Sequence, residues 1–290
     1  MAVQVALAQV CPDTGNTEAN ISKFITYMDR AAEAGAELVI FPELALTGYG
    51  CGDGFFAVAE EVPGPSTERL TQEAQKRGQH VIWGMPERGL PGIVYNSAVL
   101  VGPEGYIGTW RKHTLPGHAT DTTGPGAFPD RRFFRAGTRS PVFDTAIGRI
   151  GMMVCYDIFF PEIARLLTLK GVDLLVGISG SPAFERPIFE PLVRARAMEN
   201  AIWFAYCNMA GVEAGISYWG GSRLLSPGNC QTKVPGDPVV AQAPYDDEAL
   251  VCGAVDYTWT EQFRPFFPIM RDLHAEMYEQ LADAVHTSIE

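Results

Sequence analysis

Three side chains that could together transfer an acyl group stand at the ends of predicted strands. Glu43 follows the apolar run 38–41 and a proline, Lys112 follows the run 107–110, and Cys155 directly follows 149–154. A thiol can attack a carbonyl, a carboxylate can move the proton, and an ammonium group can stabilise the oxyanion. Because active-site residues of open α/β sheets collect at the carboxyl ends of strands, we expect these three to converge.

The segment around Cys155 reads RIGMMVCYDIFFPE. Pro161 and Glu162 are typical of the first turn of a helix, so Cys155 lies at a strand-to-helix corner, next to the backbone N–H of Tyr156. If Cys155 is an activated thiolate, iodoacetamide should label it faster than Cys11 or Cys230. The alternative is a buried core cysteine, which is common for this residue type.

The composition and net charge of the chain exclude several classes of protein. The chain has 290 residues, of which 47% are apolar, and a formal net charge of −12. An acidic chain is a poor partner for nucleic acid, and no apolar run approaches the roughly 20 residues that span a bilayer. The first residues, MAVQVALAQV, lack a basic signal-peptide region, and the six cysteines contain no CxxC pair. We expect a soluble, cytoplasmic protein without a metal site or cofactor.

Strand-like and helix-like segments alternate in the first half and again after Cys155, which indicates an α/β fold in a single domain over residues 1–290. Two long stretches, 44–63 and 113–139, are rich in glycine or proline and are predicted to be functional loops. The last predicted helix covers about 271–285.

Three ordered motifs carry a family resemblance. FPELALTGY (41–49), WRKHTLPG (110–117) and CYDIFFPE (155–162) resemble those of the nitrilase, or carbon–nitrogen hydrolase, superfamily. Further segments at 195–211, 220–228 and 264–278 are also similar, so the resemblance covers nearly the whole chain.

The resemblance implies a four-layer α-β-β-α sandwich. It implies that Glu43 is the general base, Lys112 the transition-state stabiliser and Cys155 the nucleophile, with no metal required. It also implies a homodimer or higher homo-oligomer, in which the C-terminal tail, about 257–290, contributes contacts.

The main departure from the family pattern concerns the second acid, which is an aspartate here and not a glutamate. Members of the amidase and carbamoylase branches carry a glutamate in the loop after the lysine, whereas this chain has Asp130 at the start of DRRFFRAG. Because aspartate is one methylene shorter, either the loop moves inward or the acid is less engaged. A solvated loop residue remains the alternative, and Asp121 is a weaker candidate.

The residues after the cysteine bear on the substrate. Tyr156-Asp157 resembles the amidase-type branches, and Phe159 lies where carbamoylases place arginines that bind a carboxylate. An apolar lining favours a small neutral or apolar carboxamide as the substrate. The alternatives are an N-carbamoyl (ureido) compound and a catalytically weak, ligand-binding member of the fold.

Four further residues are predicted to line the substrate pocket: Tyr49, Tyr156, Phe159 and Ser179. Tyr49 is close to Glu43 in the sequence, and Ser179 follows the predicted strand 174–178. A papain-like pair of Cys155 with His113 is rejected, because the glutamate and the lysine already supply the base and the positive charge.

Overall fold

Two six-stranded sheets form the centre of the chain. The computed structural model describes residues 2–117, 130–228 and 238–289, so Asp121 and Cys230 lie outside the described residues. The strands are β1 (Ala2–Gln9), β2 (Leu38–Ile40), β3 (His80–Arg88), β4 (Val94–Gly102), β5 (Gly105–Arg111), β6 (Phe143–Thr145), β7 (Gly148–Val154), β8 (Leu174–Ser179), β9 (Trp203–Asn208), β10 (Ala210–Glu213), β11 (Ile216–Trp219), β12 (Arg223–Leu225), β13 (Val239–Gln242) and β14 (Ala249–Asp256).

Eight helices accompany these strands in the described ranges. They are α1 (Thr17–Glu33), α2 (Phe55–Val58), α3 (Pro65–Arg77), α4 (Asp130–Phe133), α5 (Pro161–Leu169), α6 (Arg186–Met198), α7 (Thr258–Phe263) and α8 (Ala275–Ile289). Short 3-10 turns lie at Gly52–Gly54, Cys155–Phe159 and Ala183–Glu185.

The first sheet has the order β14-β1-β2-β3-β4-β5 and the second β13-β12-β9-β8-β7-β6. Within them, β1-β2-β3 and β7-β8-β9 are parallel. Parallel neighbours end at the same edge of a sheet, so the residues that follow β2 and those that follow β7 and β8 can meet where the sheets face each other.

Alternation along β1 shows how the layers arise. Val3, Val5 and Leu7 pack between the two sheets, while Ala6 and Ala8 face the cluster beneath α1. This two-residue period is what a strand buried on both faces requires. Helices α1 and α3 cover the outer face of the first sheet, and α5 and α6 cover that of the second. The predicted α-β-β-α sandwich is confirmed.

Two predicted loops contain short helices. The stretch 44–63 includes a 3-10 turn and α2, and 113–139 includes α4. The rings of Phe133 and Phe134 pack against Phe55 with centroids 5.7 and 4.9 Å apart. The prediction of plain loops was therefore wrong for these segments, because contacts between two distant stretches stabilise turns too short to show helical periodicity.

The C-terminal tail divides into a packed and an exposed part. Trp259 of α7 stacks on Trp203 at 5.3 Å, and Phe263 is buried. Helix α8, which begins about four residues later than predicted, is exposed along its length. In the described part of the chain, no helix is long and apolar enough to cross a membrane.

Candidate active site

Glu43 links the two sheets. It lies three residues after Ile40, the last residue of β2, and is fully buried. Its Oε1 accepts hydrogen bonds from Lys112 Nζ and Asn96 Nδ2, both at 2.7 Å, and its Oε2 accepts one from the Gly180 backbone N–H at 2.7 Å. Because Gly180 follows β8 of the second sheet, the carboxylate is fixed by groups from both sheets.

Gly84 of β3 allows the Glu43 backbone to approach the sheet. A Cβ atom at position 84 would lie 2.5 Å from Glu43 Cα and still closer to the Leu44 nitrogen. Both obstacles are backbone atoms, which cannot move aside as a flexible side chain can.

We expect Gly84→Ala to lower the free energy of unfolding by about 1–3 kcal/mol, as overpacking in a dense interior typically does. Urea unfolding followed by fluorescence measures this. Gly54→Ala is the matched control, because the nearest atom to an added Cβ there is 4.0 Å away. Equal stability of the two variants would contradict the close-approach argument.

Lys112 follows β5 and is fully buried. Its Nζ donates to Glu43 Oε1 at 2.7 Å and to Asp130 Oδ2 at 2.8 Å. One ammonium group thus stands between two carboxylates, and this arrangement offsets part of the cost of burying all three charges.

Asp130 reaches the site despite its shorter side chain. It is fully buried at the start of α4, and its second oxygen, Oδ1, accepts a hydrogen bond from the Tyr49 hydroxyl. The phenylalanines of this helix region hold it against α2, and the backbone N–H of Gly137 donates to the Lys112 carbonyl at 2.8 Å. Asp130 is therefore engaged with Lys112, and it is not the solvated loop residue that was the alternative.

Cys155 occupies a sharp corner after β7. Its φ of +48° lies in the left-handed region, which a residue with a Cβ adopts only when its surroundings enforce it. Asp157 supplies this constraint. One oxygen accepts from the N–H groups of His113 and Thr114, and the other accepts from the Val154 N–H at 3.0 Å.

The same carboxylate also accepts the indole N–H of Trp110 at 2.9 Å. Trp110 lies two residues before Lys112, so Asp157 holds the segments of Lys112 and Cys155 in one arrangement.

Burial and charge set the protonation of the buried groups. Burial and the Asp130 charge raise the pKa of Glu43, although Lys112 opposes this. Burial alone would lower the pKa of Lys112, but the charges of Asp130 and Glu43 hold it well above its ordinary value. Lys112 is therefore a cation at neutral pH.

The thiol of Cys155 is neutral in the resting protein. Burial and the Glu43 charge raise its pKa well above the ordinary value of 9.0, and Lys112 only partly opposes them. How deeply this sulfur is buried could not be read from its position in the sequence. The thiol needs a base at the moment of attack, and Glu43 has the raised proton affinity that suits this role.

The four residues that were predicted to line the pocket lie in different surroundings. Tyr49 contacts Asp130, and Ser179 lies beside the thiol, whose pKa its hydroxyl lowers. Tyr156 follows the nucleophile and lines a cavity of about 360 Å³ with Phe160. Phe159 instead packs its ring on Phe189 at a centroid distance of 5.1 Å.

His113 is held by other groups. Its Nδ1 lies 3.1 Å from the Arg111 carbonyl oxygen, its Nε2 lies 3.2 Å from Ser140 Oγ, and its ring packs on Trp110. This arrangement fits the structural role expected for it.

Sequence reasoning missed several polar groups around the site: Asn96, Asp157, the Gly180 N–H, Glu185 and Tyr206. Asn96 lies inside a strand and Tyr206 inside an apolar run, so neither carried a local signal. Asp157 was noted only for its place in the motif after the cysteine.

Comparison with known proteins identifies the family of this chain. The model of the carbon-nitrogen hydrolase family matches residues 4–232, which is most of the chain. The chain belongs to the carbon-nitrogen hydrolase family. It is accordingly a nitrilase-superfamily hydrolase that acts on carbon–nitrogen bonds.

Relatives of this carbon-nitrogen hydrolase include enzymes with different names. A nitrilase of Pyrococcus abyssi is 34% identical over 78% of this chain and 82% of its own length. An omega-amidase of Xenopus tropicalis is 32% identical over 89% of this chain and 91% of its own. A solved structure from Saccharomyces cerevisiae, a member of branch 10 of the nitrilase superfamily, has a TM-score of 0.80 at 25% identity, covering 92% of this chain and 94% of that chain.

Proposed function

We propose that this carbon-nitrogen hydrolase is an amidase, which converts a small carboxamide without negative charge and water into a carboxylic acid and ammonia. The observation that carries the proposal is the Lys112 ammonium held by Glu43 and Asp130 within the electrostatic reach of the Cys155 thiol. The omega-amidase among the relatives supports amide chemistry.

The proposed acylation step follows from these positions. Cys155 Sγ attacks the amide carbon while Glu43 takes the thiol proton. The oxyanion is stabilised by Lys112 and the Tyr156 N–H. Collapse of the intermediate breaks the C–N bond, and Glu43 passes the proton to the leaving nitrogen, so ammonia departs and a thioester remains.

The deacylation step uses the same groups. Water attacks the thioester carbon while Glu43 takes its proton, and Lys112 again stabilises the oxyanion. The C–S bond breaks, the acid leaves, and the thiol recovers a proton. Asp130 acts in both steps by holding Lys112, and Tyr49 holds Asp130.

Charge supports a substrate without a carboxylate. Glu43, Asp130 and Glu185 contribute negative charge near the reacting atoms, and Lys112 contributes the positive charge. An anionic acyl group meets net repulsion there. The neutral character of the proposed substrate rests on this balance. Phe159, which was expected to line an apolar pocket, packs its ring between those of Tyr156 and Phe189, with both centroid distances at 5.1 Å.

Ammonia release tests the proposal. Wild-type protein is assayed with neutral aliphatic and aromatic amides, nitriles and N-carbamoyl amino acids. Fastest turnover of a neutral amide supports the amidase. Ammonia from nitriles alone would contradict it, and the absence of turnover on the whole panel would favour the ligand-binding alternative.

An N-carbamoyl amino acid hydrolase is the second candidate, and one observation favours it. Arg131 lines the 360 Å³ cavity together with Tyr156 and Phe160, so a guanidinium group lies where a substrate carboxylate could enter. Faster turnover of N-carbamoyl acids than of carboxamides would replace the first proposal with this one.

We expect the acid limb of the kcat/KM profile to lie above pH 4.5. Glu43 must be a carboxylate to act as a base, and its pKa is raised by burial and by Asp130, so activity is lost as the pH falls through this raised pKa. Asp130→Asn removes one raising charge and should move the limb to lower pH. A limb at or below pH 4.5, or one that Asp130→Asn leaves in place, would argue against Glu43 as the base.

The expected homo-oligomer remains a proposal. Helix α8 presents Met277, Leu281 and Val285 along one face, with exposed fractions of 61%, 44% and 46%. Apolar side chains spaced by four residues form a continuous stripe, which is suited to contact with a second copy.

A further inference from the structure

Two buried hydroxyl groups next to the thiol have no part in the proposed steps. Ser179 ends β8 and Tyr206 lies in β9, opposite Gly177 in the register, and both are fully buried. Tyr206 stacks between Trp219 and Phe189 on the outer face of the second sheet.

Burial raises the pKa of both the Cys155 thiol and the Tyr206 hydroxyl, and the nearby Ser179 hydroxyl opposes this shift in each of them. Even so, neither Ser179 Oγ nor Tyr206 Oη makes a hydrogen bond of good geometry within the described part of the chain. Leaving buried polar groups unpaired is costly, so such groups commonly mark a place where a ligand supplies the partner.

Glu185 adds a charge to this region. It ends the 3-10 turn Ala183–Glu185, and its Oε2 accepts a hydrogen bond from Ser181 Oγ at 2.9 Å. The indole N–H of Trp219 donates to the same Ser181 oxygen at 3.0 Å. Ser181 and Trp219 are buried, so this chain of hydrogen bonds fixes the direction of the carboxylate.

Neither helix capping nor an ion pair with a described residue explains the position of Glu185. It occupies the N-cap position of α6, but its side chain does not cap that helix. Among the described residues, no lysine or arginine nitrogen lies within 4.0 Å of it, and the adjacent Arg186 pairs with Glu190. Its charge instead acts on the thiol of Cys155, on Tyr206 and on Glu43, and the more distant Lys112 ammonium partly offsets it.

We propose that Glu185, together with the hydroxyls of Ser179 and Tyr206, forms an acyl subsite that binds a hydrogen-bond donor, above all an ammonium group, on the substrate. The inference rests on the proposed amidase function and specifies its substrate class as ω-amino amides. An oriented carboxylate that makes no direct ion pair with the described residues attracts a cation, and the two hydroxyls can accept its remaining hydrogen bonds. A carboxylate on the acyl chain would be repelled.

Matched substrates test this subsite. Within each chain length of three to five carbons, an ω-amino amide is compared at pH 8 with the amide in which a methyl group replaces the ammonium group and with the amide in which a carboxylate replaces it. We expect wild-type kcat/KM to favour the ammonium compound over the methyl compound by about tenfold for at least one chain length, as one partly buried charge pair can provide.

The variant Glu185→Gln keeps the Ser181 hydrogen bond but removes the charge. Its kcat/KM ratio of ammonium to methyl compound should fall to near one, mainly through a higher KM for the ammonium compound. Glu162→Gln is the control, because it removes an exposed carboxylate from the first turn of α5. It should keep the wild-type ratio.

The outcomes separate the two proposals. Wild-type turnover of the methyl compounds without preference for the ammonium compounds would overturn the subsite and leave the amidase intact. Preference for the carboxylate compounds, or a preference for ammonium that survives in Glu185→Gln, would also overturn the subsite. If no amide in any series is hydrolysed, the amidase proposal fails and the subsite fails with it.

Discussion

Replacing Cys155 with alanine should reduce ammonia release from carboxamides by about 10⁴-fold or more, because the variant has no nucleophile to form the thioester. The fold should remain intact. Cys155 and alanine differ only by a sulfur atom, and the backbone corner is held by the Asp157 hydrogen bonds. Ammonia assays and circular dichroism of both proteins measure the two effects.

Cys207→Ala is the matched control for this variant. Cys207 is also fully buried, but its Sγ lies between the sheets, 3.2 Å from the Ile40 carbonyl oxygen. This variant should lose some stability while keeping its activity. Retention of more than a few per cent of activity by Cys155→Ala would show that another group performs the attack.

The covalent intermediate gives a second measurement of the same prediction. Rapid quenching of the wild-type protein during turnover should show the mass of the acyl group added to the protein, located on the peptide that contains Cys155. Cys155→Ala should show no added mass under the same conditions.

Lys112→Met should lower both the activity and the stability. Loss of the oxyanion-stabilising cation should reduce kcat by about 10²–10³-fold or more. The variant also leaves Glu43 and Asp130 buried without a counter-charge. Breaking a buried ion pair on one side typically costs about 3–5 kcal/mol, and urea unfolding at pH 8 measures this loss.

The pH dependence of this stability loss has a definite sign. Without Lys112, the charge that opposes the raised pKa of Glu43 is lost, so this pKa rises further above that of the unfolded chain. The unfavourable contribution of the buried Glu43 carboxylate is then largest at pH 8 and shrinks as the pH falls and it takes up a proton. Adding Asp130→Asn to Lys112→Met removes one of the charges and should restore part of the stability.

Lys23→Met is the control for the charge network. Lys23 also pairs with a carboxylate, Glu248 at 2.7 Å, but both side chains are about one-third exposed. Exposed pairs contribute about 0–1 kcal/mol, so this variant should change little. If Lys112→Met were no less stable than Lys23→Met, the buried network would not be a source of stability.

Local sequence patterns were enough to identify the three reactive residues of the site. Glu43, Lys112 and Cys155 each follow an apolar run that forms a strand, and Pro161 marks the start of the helix after the corner. Such runs and helix starts depend on neighbouring residues, so they can be read from one sequence. The same patterns indicated the α/β layering, because helices alternate with strands buried on both faces.

Contacts between distant segments decided how these residues work. The Gly180 N–H reaches Glu43 from 137 positions further along the chain, a contact that depends on how one sheet faces the other. Asp130 enters the site because Phe133 and Phe134 pack on Phe55, which no local pattern reveals.

The chemical state of the site was also decided by the tertiary structure. The neutral thiol of Cys155 follows from burial and from the charge of Glu43, neither of which is a property of the cysteine's neighbours in sequence. Phe159 packs on Phe189, while Glu185 and Tyr206 approach the thiol from separate segments. The sequence by itself thus determined which reactive groups are present. Packing determined the protonation of these groups, their hydrogen-bond partners and the surface that meets the substrate, because all three depend on distances and burial in three dimensions.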